Sequence, residues 1–155
     1  MAALAIEIVD SAARHLAYLP RHSTIHTLNS VAAATPVWAS VEDRGLPRTG
    51  WLIGYFPDAP GEAIFEEPAP ELWIGPELAA PFEADALLLH YARTPAGRTA
   101  FASYRGVHEE SPGVHRAIRA WCAERGETLA GPIWERYVWN TDPTLRVIEV
   151  YYLLG

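Results

Sequence analysis

The sequence has little of what disulfide-stabilised, nucleic-acid-binding or membrane-spanning proteins require. One cysteine, Cys122, occurs among 155 residues, so no internal disulfide can form and a reducing, cytoplasmic location is expected. The net charge is −7 and no basic run is present, so we expect no direct nucleic-acid partner. Acids and prolines interrupt the apolar runs and no basic segment opens the chain, so we expect neither a membrane span nor a signal peptide.

The remaining composition is that of a globular protein. Half of the residues are hydrophobic and 20% are charged, and the length fits a single domain over residues 1–155. No glycine-rich phosphate loop or paired cysteines occur, and His22 and His26 lack the acid of a zinc motif. We therefore expect no metal and no cofactor.

The end of the chain has the most informative pattern. Residues 131–139 and 146–153 both alternate, and a short polar connector, residues 140–144, separates them. Side chains of a strand point to opposite faces with period two, so two strands are predicted. A glutamate in a strand centre is disfavoured, and two of them among apolar neighbours suit an organic molecule with a cationic or polar tip. The predicted shared face carries Ile133, Glu135, Tyr137, Trp139, Val147, Glu149, Tyr151 and Leu153.

The same order of elements occurs twice along the chain. Alternation predicts strands at 5–9, 14–19, 50–56 and 71–74 in the first half and at 86–91 and 98–104 before the closing pair. Apolar spacings of three and four predict a helix near 28–41, kinked or restarted at Pro36, and another near 114–122. Arg44-Gly45 and Arg125-Gly126 lie 81 residues apart. The pattern predicts an α+β fold of two pseudo-symmetric βαββ repeats, about 4–80 and 84–155, with a duplicated antiparallel sheet, two main helices and a central cleft.

The repeat assigns first-half counterparts to the cleft, through a match of Glu71 with Glu149. These are Trp51, Ile53, Tyr55, Glu71 and Trp73. Together with Tyr137, Trp139 and Tyr151 the rings could form an aromatic cage, which attracts cations by roughly 0.5–2 kcal/mol per ring. Ordinary core packing is the alternative for each ring. We assign Trp38, Trp121 and Trp134 to the core between helices and sheet.

Several segments resemble the GyrI-like, or bacterial effector-binding, domain family. They are Gly97-Arg98, Tyr104-Arg-Gly106, Gly131-Pro-Ile-Trp-Glu-Arg-Tyr137 and Ile148-Glu-Val-Tyr-Tyr152. The resemblance implies two βαββ units around a cleft that binds lipophilic, often cationic small molecules. It places the family's cleft glutamate on Glu149 and its strand glutamate and tyrosine on Glu135 and Tyr137. Leu153 departs from the family, which often has a proline there.

Three functions remain open at this point. The first is binding of lipophilic or cationic xenobiotics. The second, implied by a hydrolytic subfamily, is hydrolysis of electrophilic cyclopropane-type compounds with Glu135 or Glu149 as the catalytic carboxylate. The third is a protein-interaction role, with gyrase or a regulator as partner.

Each glutamate also has a structural alternative. For Glu149 it is a cross-strand ion pair with Arg136 or Arg146. For Glu135 it is a solvated strand position, and for Glu71 the structural interpretation is slightly favoured.

Overall fold

A computed structural model describes residues 4–85, 89–106, 110–138, 141–142 and 146–155, and for Val31 its backbone alone. Trp139, predicted to bind ligand, lies outside the described residues. Within them the predicted order of strands and helices is confirmed. The elements are β1 (Ile6–Ser11), β2 (His15–His22), α1 (Ser30–Asp43), β3 (Arg48–Phe56), a 3-10 turn (Ala63–Phe65), β4 (Glu71–Leu78), β5 (His90–Arg93), β6 (Gly97–Arg105), α2 (Ser111–Glu124), β7 (Leu129–Val138) and β8 (Val147–Leu154).

Helix α1 begins and ends as its sequence suggests. The side chain of Asn29 accepts a hydrogen bond from the Ala32 amide at 3.1 Å and so caps the first turn. The helix continues through Pro36 as one element. Gly45 follows it with a φ of 64°, and Gly126 follows α2 with a φ of 67°. Both helices therefore end at a glycine in the left-handed region, which residues with a side chain rarely adopt.

Strands β3 and β7 relate the two repeats. They pair antiparallel, and Gly54 lies opposite Glu135, 81 residues further along the chain. Because 81 is also the spacing of the two helix-ending glycines, the pseudo-twofold axis passes through this pair. Tyr55 pairs with Trp73 in one repeat, and Arg136 pairs with Glu149 in the other. The counterpart of Glu149 is therefore Trp73, and the predicted match of Glu71 with Glu149 is wrong by two residues.

The sheet is strongly curved. Its strand order is β1–β6–β8–β7–β3–β4–β2–β5, so β1 and β5 are its edges. Yet the pairing of β1 with β6 and the pairing of β2 with β5 have the same antiparallel register. Between them, the Thr94 amide donates to the Arg14 carbonyl and the Arg14 amide donates to the Thr94 hydroxyl, so the two pairings form one continuous ribbon. This ribbon contains both edge strands and brings the two edges of the sheet together.

The short connection between β1 and β2 requires this curvature. Residues 12–14 join strands that are six spacings apart in the sheet order. Four Cα–Cα steps span at most about 15 Å, whereas six spacings of a flat sheet cover roughly 29 Å. The sheet therefore curves around one side, which we call the inner face and which carries Ile53, Tyr55, Trp134, Arg136, Glu149 and Tyr151.

The other side, the helix face, carries the main core. Ile118 and Cys122 of α2 pack with strand residues such as Val150 and Tyr152, while Val37 and Val41 of α1 pack with Leu78. Trp38 and Trp121 pack against this core as assigned, and burial raises the pKa of the Cys122 thiol. In the described part of the chain, neither α-helix is long and apolar enough to cross a membrane.

Candidate functional site

The pairing of β7 with β8 decides which glutamate reaches the inner face. Arg136 lies opposite Glu149, and Glu135 lies opposite Val150. The prediction that Glu135 and Tyr137 share a face with Glu149 is therefore wrong. Alternation within each strand is correct, but the prediction put odd-numbered residues of both strands on one face, whereas the ladder pairs even-numbered residues of β7 with odd-numbered residues of β8. A one-residue change of register moves a whole strand's side chains to the opposite face.

Glu135 and Tyr137 instead belong to a polar network buried under α2. His115 and Glu135 are both fully buried, with His115 Nε2 3.1 Å from Glu135 Oε2. The Tyr152 hydroxyl lies 2.7 Å from His115 Nδ1, and the Tyr137 hydroxyl donates to Glu135 Oε1 at 3.3 Å. One neutral histidine tautomer satisfies both ring contacts, donating from Nε2 and accepting at Nδ1. These contacts give Glu135 a structural role on the helix face.

Aromatic rings fill the middle of the inner face. Trp134 stacks on Tyr151, with 5.2 Å between ring centroids and 9° between planes. Tyr55 meets Trp134 and Trp73 edge to face, at 6.1 and 5.6 Å. Tyr18 stacks on the far side of this group against Trp73 at 4.6 Å. Trp134 is 1% exposed although no helix residue among those described joins its cluster, so the curvature itself encloses these rings. The assignment of Trp134 to the helix-side core is wrong.

Beside the rings lies an ion network centred on Arg136. Its Nε and Nη2 donate to Glu77 Oε1 and Oε2 at 2.7 and 3.1 Å, and its Nη1 donates to Glu149 Oε1 at 3.0 Å. Its Cζ lies 3.8 Å from the centroid of the Trp51 ring. Thr49 donates to Glu77 at 2.6 Å, and Arg14 lies 3.7 Å from it. The cross-strand pair of Glu149 with Arg136, which the sequence left as an alternative to ligand binding, is thus present.

The two oxygens of Glu149 differ. Oε1 accepts from Arg136 and from the Tyr151 hydroxyl, both at 3.0 Å. Among the described residues no hydrogen bond reaches Oε2, and the side chain is 19% exposed. Burial and the neighbouring Glu149 charge raise the pKa of Tyr151 to about 12, so its hydroxyl stays protonated at neutral pH and remains a donor. Glu149 is therefore held in place through one oxygen, while no described residue engages the other.

The two carboxylates beside Arg136 are neutralised to different extents. Glu77 is 2% exposed and makes two bonds to Arg136, so it is the closer counter-ion of this guanidinium. A bidentate arginine–carboxylate pair is strong and geometrically fixed. Arg136 makes one bond to Glu149. The carboxylate of Glu149 is thus the less neutralised of the two, and it accepts a hydrogen bond from the Tyr151 hydroxyl.

Acid should weaken the fold through Glu77. Burial alone would raise the pKa of Glu77, but hydrogen bonds from Arg136 and Thr49 and the charges of Arg136 and Arg14 hold it below its ordinary value of 4.5. A carboxylate with a lowered folded-state pKa stabilises the fold above its unfolded-state pKa and loses this contribution as the pH falls through the folded-state value. We expect the difference in unfolding free energy between wild type and Glu77→Gln to shrink below about pH 4.5. Denaturant melts of both proteins from neutral pH to pH 3 measure it, and a constant difference would contradict the ion-pair assignment.

The predicted site residues fall into three groups. Glu149, Tyr151, Trp51, Tyr55 and Trp73 meet at the inner face. Glu71 shares the strand face of Trp73 but is exposed at the end of β4. Glu135 and Tyr137 are on the helix face. A binding role stays a prediction for the residues at the inner face, and it is not supported for Glu135 and Tyr137.

Sequence reasoning missed other inner-face residues. They are Arg14, Tyr18, Glu77 and Trp134, while Arg136 was considered only as a structural partner of Glu149. Opposite charges at Arg136 and Glu149 could have indicated the register, because such pairs are favoured directly across a ladder. Arg14 and Glu77 are brought together by the ribbon and by β4, and no local pattern joins them.

Comparison with solved structures shows what this fold is similar to. The C-terminal domain of EcmrR superposes over 98% of both chains, with a TM-score of 0.76 and 12% identity. A hydrolase from Listeria innocua matches over 97% of this chain and 91% of its own, with a TM-score of 0.58 and 10% identity. SAV2435, solved bound to tetraphenylphosphonium, matches over 97% and 94%, with a TM-score of 0.55 and 10% identity.

No protein-family model and no curated protein matches the sequence. The similarity is therefore one of fold. The α+β architecture expected from the resemblance to effector-binding domains is confirmed, and the match covers 98% of the EcmrR domain.

Proposed function

We propose that this protein binds lipophilic small molecules, cations among them, at the inner face beside Glu149. The observation that carries the proposal is the state of that carboxylate. One oxygen is fixed by Arg136 and Tyr151, the other is not engaged by a described residue, and aromatic rings form the surrounding wall. Ligand sites typically combine an apolar, aromatic lining with a few placed polar groups. The fold shared with SAV2435, which was solved with a lipophilic cation, supports this proposal.

The rings and the carboxylate would act on different parts of such a ligand. Tyr151 and Trp134 lie parallel and offer flat apolar surface, which favours phenyl-type groups. The Glu149 carboxylate would attract a positive centre or accept from an N–H group. Since the site is enclosed by the curved sheet, this attraction is screened less than at an exposed surface.

Substituting Glu149 tests the electrostatic part of the proposal. Glu149→Gln keeps an acceptor for Arg136 and removes the charge. We expect it to weaken binding of tetraphenylphosphonium about tenfold, which corresponds to about 1.4 kcal/mol. Binding of triphenylphosphine oxide, a neutral relative, should change by less than about twofold. Calorimetric titration of wild type and variant with both compounds measures the difference.

Two results would oppose the proposal. Equal weakening for both compounds would indicate a change of shape rather than of charge, and unchanged affinity for the cation would place the ligand elsewhere. The melting temperature of the variant controls for folding.

The same samples separate binding from hydrolysis. Hydrolase-named proteins share the fold, but at 10% identity this similarity extends to the fold alone. Mass spectrometry of electrophilic candidate compounds after incubation with the protein distinguishes the two functions. Unchanged mass at catalytic ratios supports binding, and a product increased by the mass of water would favour hydrolysis.

A further inference from the structure

The guanidinium of Arg136 has the surroundings of a bound cation. It lies over the Trp51 ring at 3.8 Å and donates hydrogen bonds to the carboxylates of Glu77 and Glu149. The whole residue is 8% exposed. An aromatic face and two carboxylates around one cation are what a protein uses to recognise a cationic ligand. Here a side chain of the protein supplies that cation.

The other repeat has no ion pair at the position that corresponds to Arg136 and Glu149. The position of the Arg136–Glu149 pair corresponds to the Tyr55–Trp73 pair of the other repeat. The sheet geometry therefore accommodates an aromatic pair at the same register. Only the second repeat has an ion pair at this position, so this charged pair lies on one side of the pseudo-twofold axis.

We propose that Arg136 occupies the cation position of the inner-face site in the free protein and sets which ligand charges the site admits. A ligand cation at the other oxygen of Glu149 competes with the single Arg136 contact for the charge of this carboxylate, while the two bonds to Glu77 keep the arginine in the fold. Arg136 thus acts as an internal competitor. The site then selects lipophilic cations whose apolar groups compensate for the lost contact, and it discriminates against small hydrated ones.

Removing the side chain should create a site for an external guanidinium ion. In Arg136→Ala, Glu77 and Glu149 keep their charges while Arg14, 3.7 Å from Glu77, remains the nearby cation. Because this assignment rests on the proposed function, its test uses methylguanidinium rather than a lipophilic ligand. Low-millimolar methylguanidinium chloride should raise the melting temperature of Arg136→Ala by about 3 °C or more, in a saturable manner.

Three controls define the result. Wild type should show no such rise, since its site is occupied. Arg98→Ala also removes an arginine with two short bonds to one carboxylate, at 2.6 and 2.8 Å to Glu127, but on the exposed surface, and it should not respond. Tetramethylammonium chloride carries the same charge without N–H donors and should not stabilise Arg136→Ala. A rise in any of these controls equal to that in the test would overturn the assignment, as would no rise in Arg136→Ala.

A second variant covers the case in which Arg136→Ala does not fold. Glu77→Gln with Arg136→Met removes the buried ion pair as a unit, which proteins tolerate better than the loss of one partner. It leaves Glu149 without its competitor, so binding of a lipophilic cation should tighten at least about tenfold over wild type. Unchanged or weaker binding would overturn the assignment.

The outcomes separate this assignment from the proposed function. Rescue by methylguanidinium, in a protein whose wild type binds no lipophilic cation, would support the role of Arg136 and refute the function. Binding by wild type without rescue or tightening would support the function and refute the role of Arg136.

Discussion

Glu135→Ala is expected to lower the free energy of unfolding by about 3–5 kcal/mol. The substitution removes the acceptor that His115 and Tyr137 use in a region where Glu135 and His115 have no exposed surface. It also leaves a cavity between α2 and β7, which the packed core cannot fully close. Chemical denaturation followed by circular dichroism measures the loss.

A pair of conservative variants shows that this effect is structural. Glu135→Gln and Glu149→Gln make the same chemical change on opposite faces of the sheet. The first should destabilise the fold and leave ligand affinity within about twofold. The second should leave the stability nearly unchanged, because Glu149 is partly exposed and Gln keeps its acceptor, and it should weaken binding of the cationic ligand. Loss of ligand affinity in Glu135→Gln, at temperatures where it is fully folded, would contradict the division of the two faces.

Gly75→Ala is expected to cost about 3 kcal/mol or more. A Cβ at this position would overlap the carbonyl oxygen of Ala17 in β2 and lie 2.8 Å from Val37 Cγ1 in α1. The carbonyl belongs to the backbone and cannot rotate away, so β2 and β4 would have to separate. Strand β2 belongs to the ribbon that curves the sheet, so ligand binding should fall together with stability.

Gly113→Ala is the matched control. Gly113 is in α2, and a Cβ there would meet no atom within 4 Å. Replacing a helical glycine by alanine reduces the entropy of the unfolded chain and should stabilise the protein by about 0.5–1 kcal/mol. Thermal melts of both variants compare them directly. Equal stability of Gly75→Ala and wild type would show that the close approach of β2, β4 and α1 does not exist.

Local patterns were sufficient to predict the elements and their duplication. Strand alternation and helical spacing depend on neighbouring residues, so β3 and β8 were found with their inner-facing residues correct, Trp51 and Tyr55 on one and Glu149 and Tyr151 on the other. The helix ends were predicted because Gly45 and Gly126 have a conformational role that few other residues can fill.

Pairing between strands was harder to predict, since it depends on the connections and on the rest of the sheet. The β7–β8 ladder changes register between Leu129 and Ile133, and the sequence predicted Glu135 instead of Arg136 on the same face as Glu149. Glu77 and Arg14 reach this site because the ribbon curves the sheet. That curvature is a property of the whole topology, and no stretch of sequence shows it alone.

The most direct test of the account is to locate the ligand. A crystal structure with tetraphenylphosphonium, or intermolecular NOEs from its phenyl protons, would give the position. The account predicts phenyl groups against Trp134 and Tyr151, with the positive centre nearest the free oxygen of Glu149. A ligand bound on the helix face, or at the outer surface away from Glu149, would contradict it.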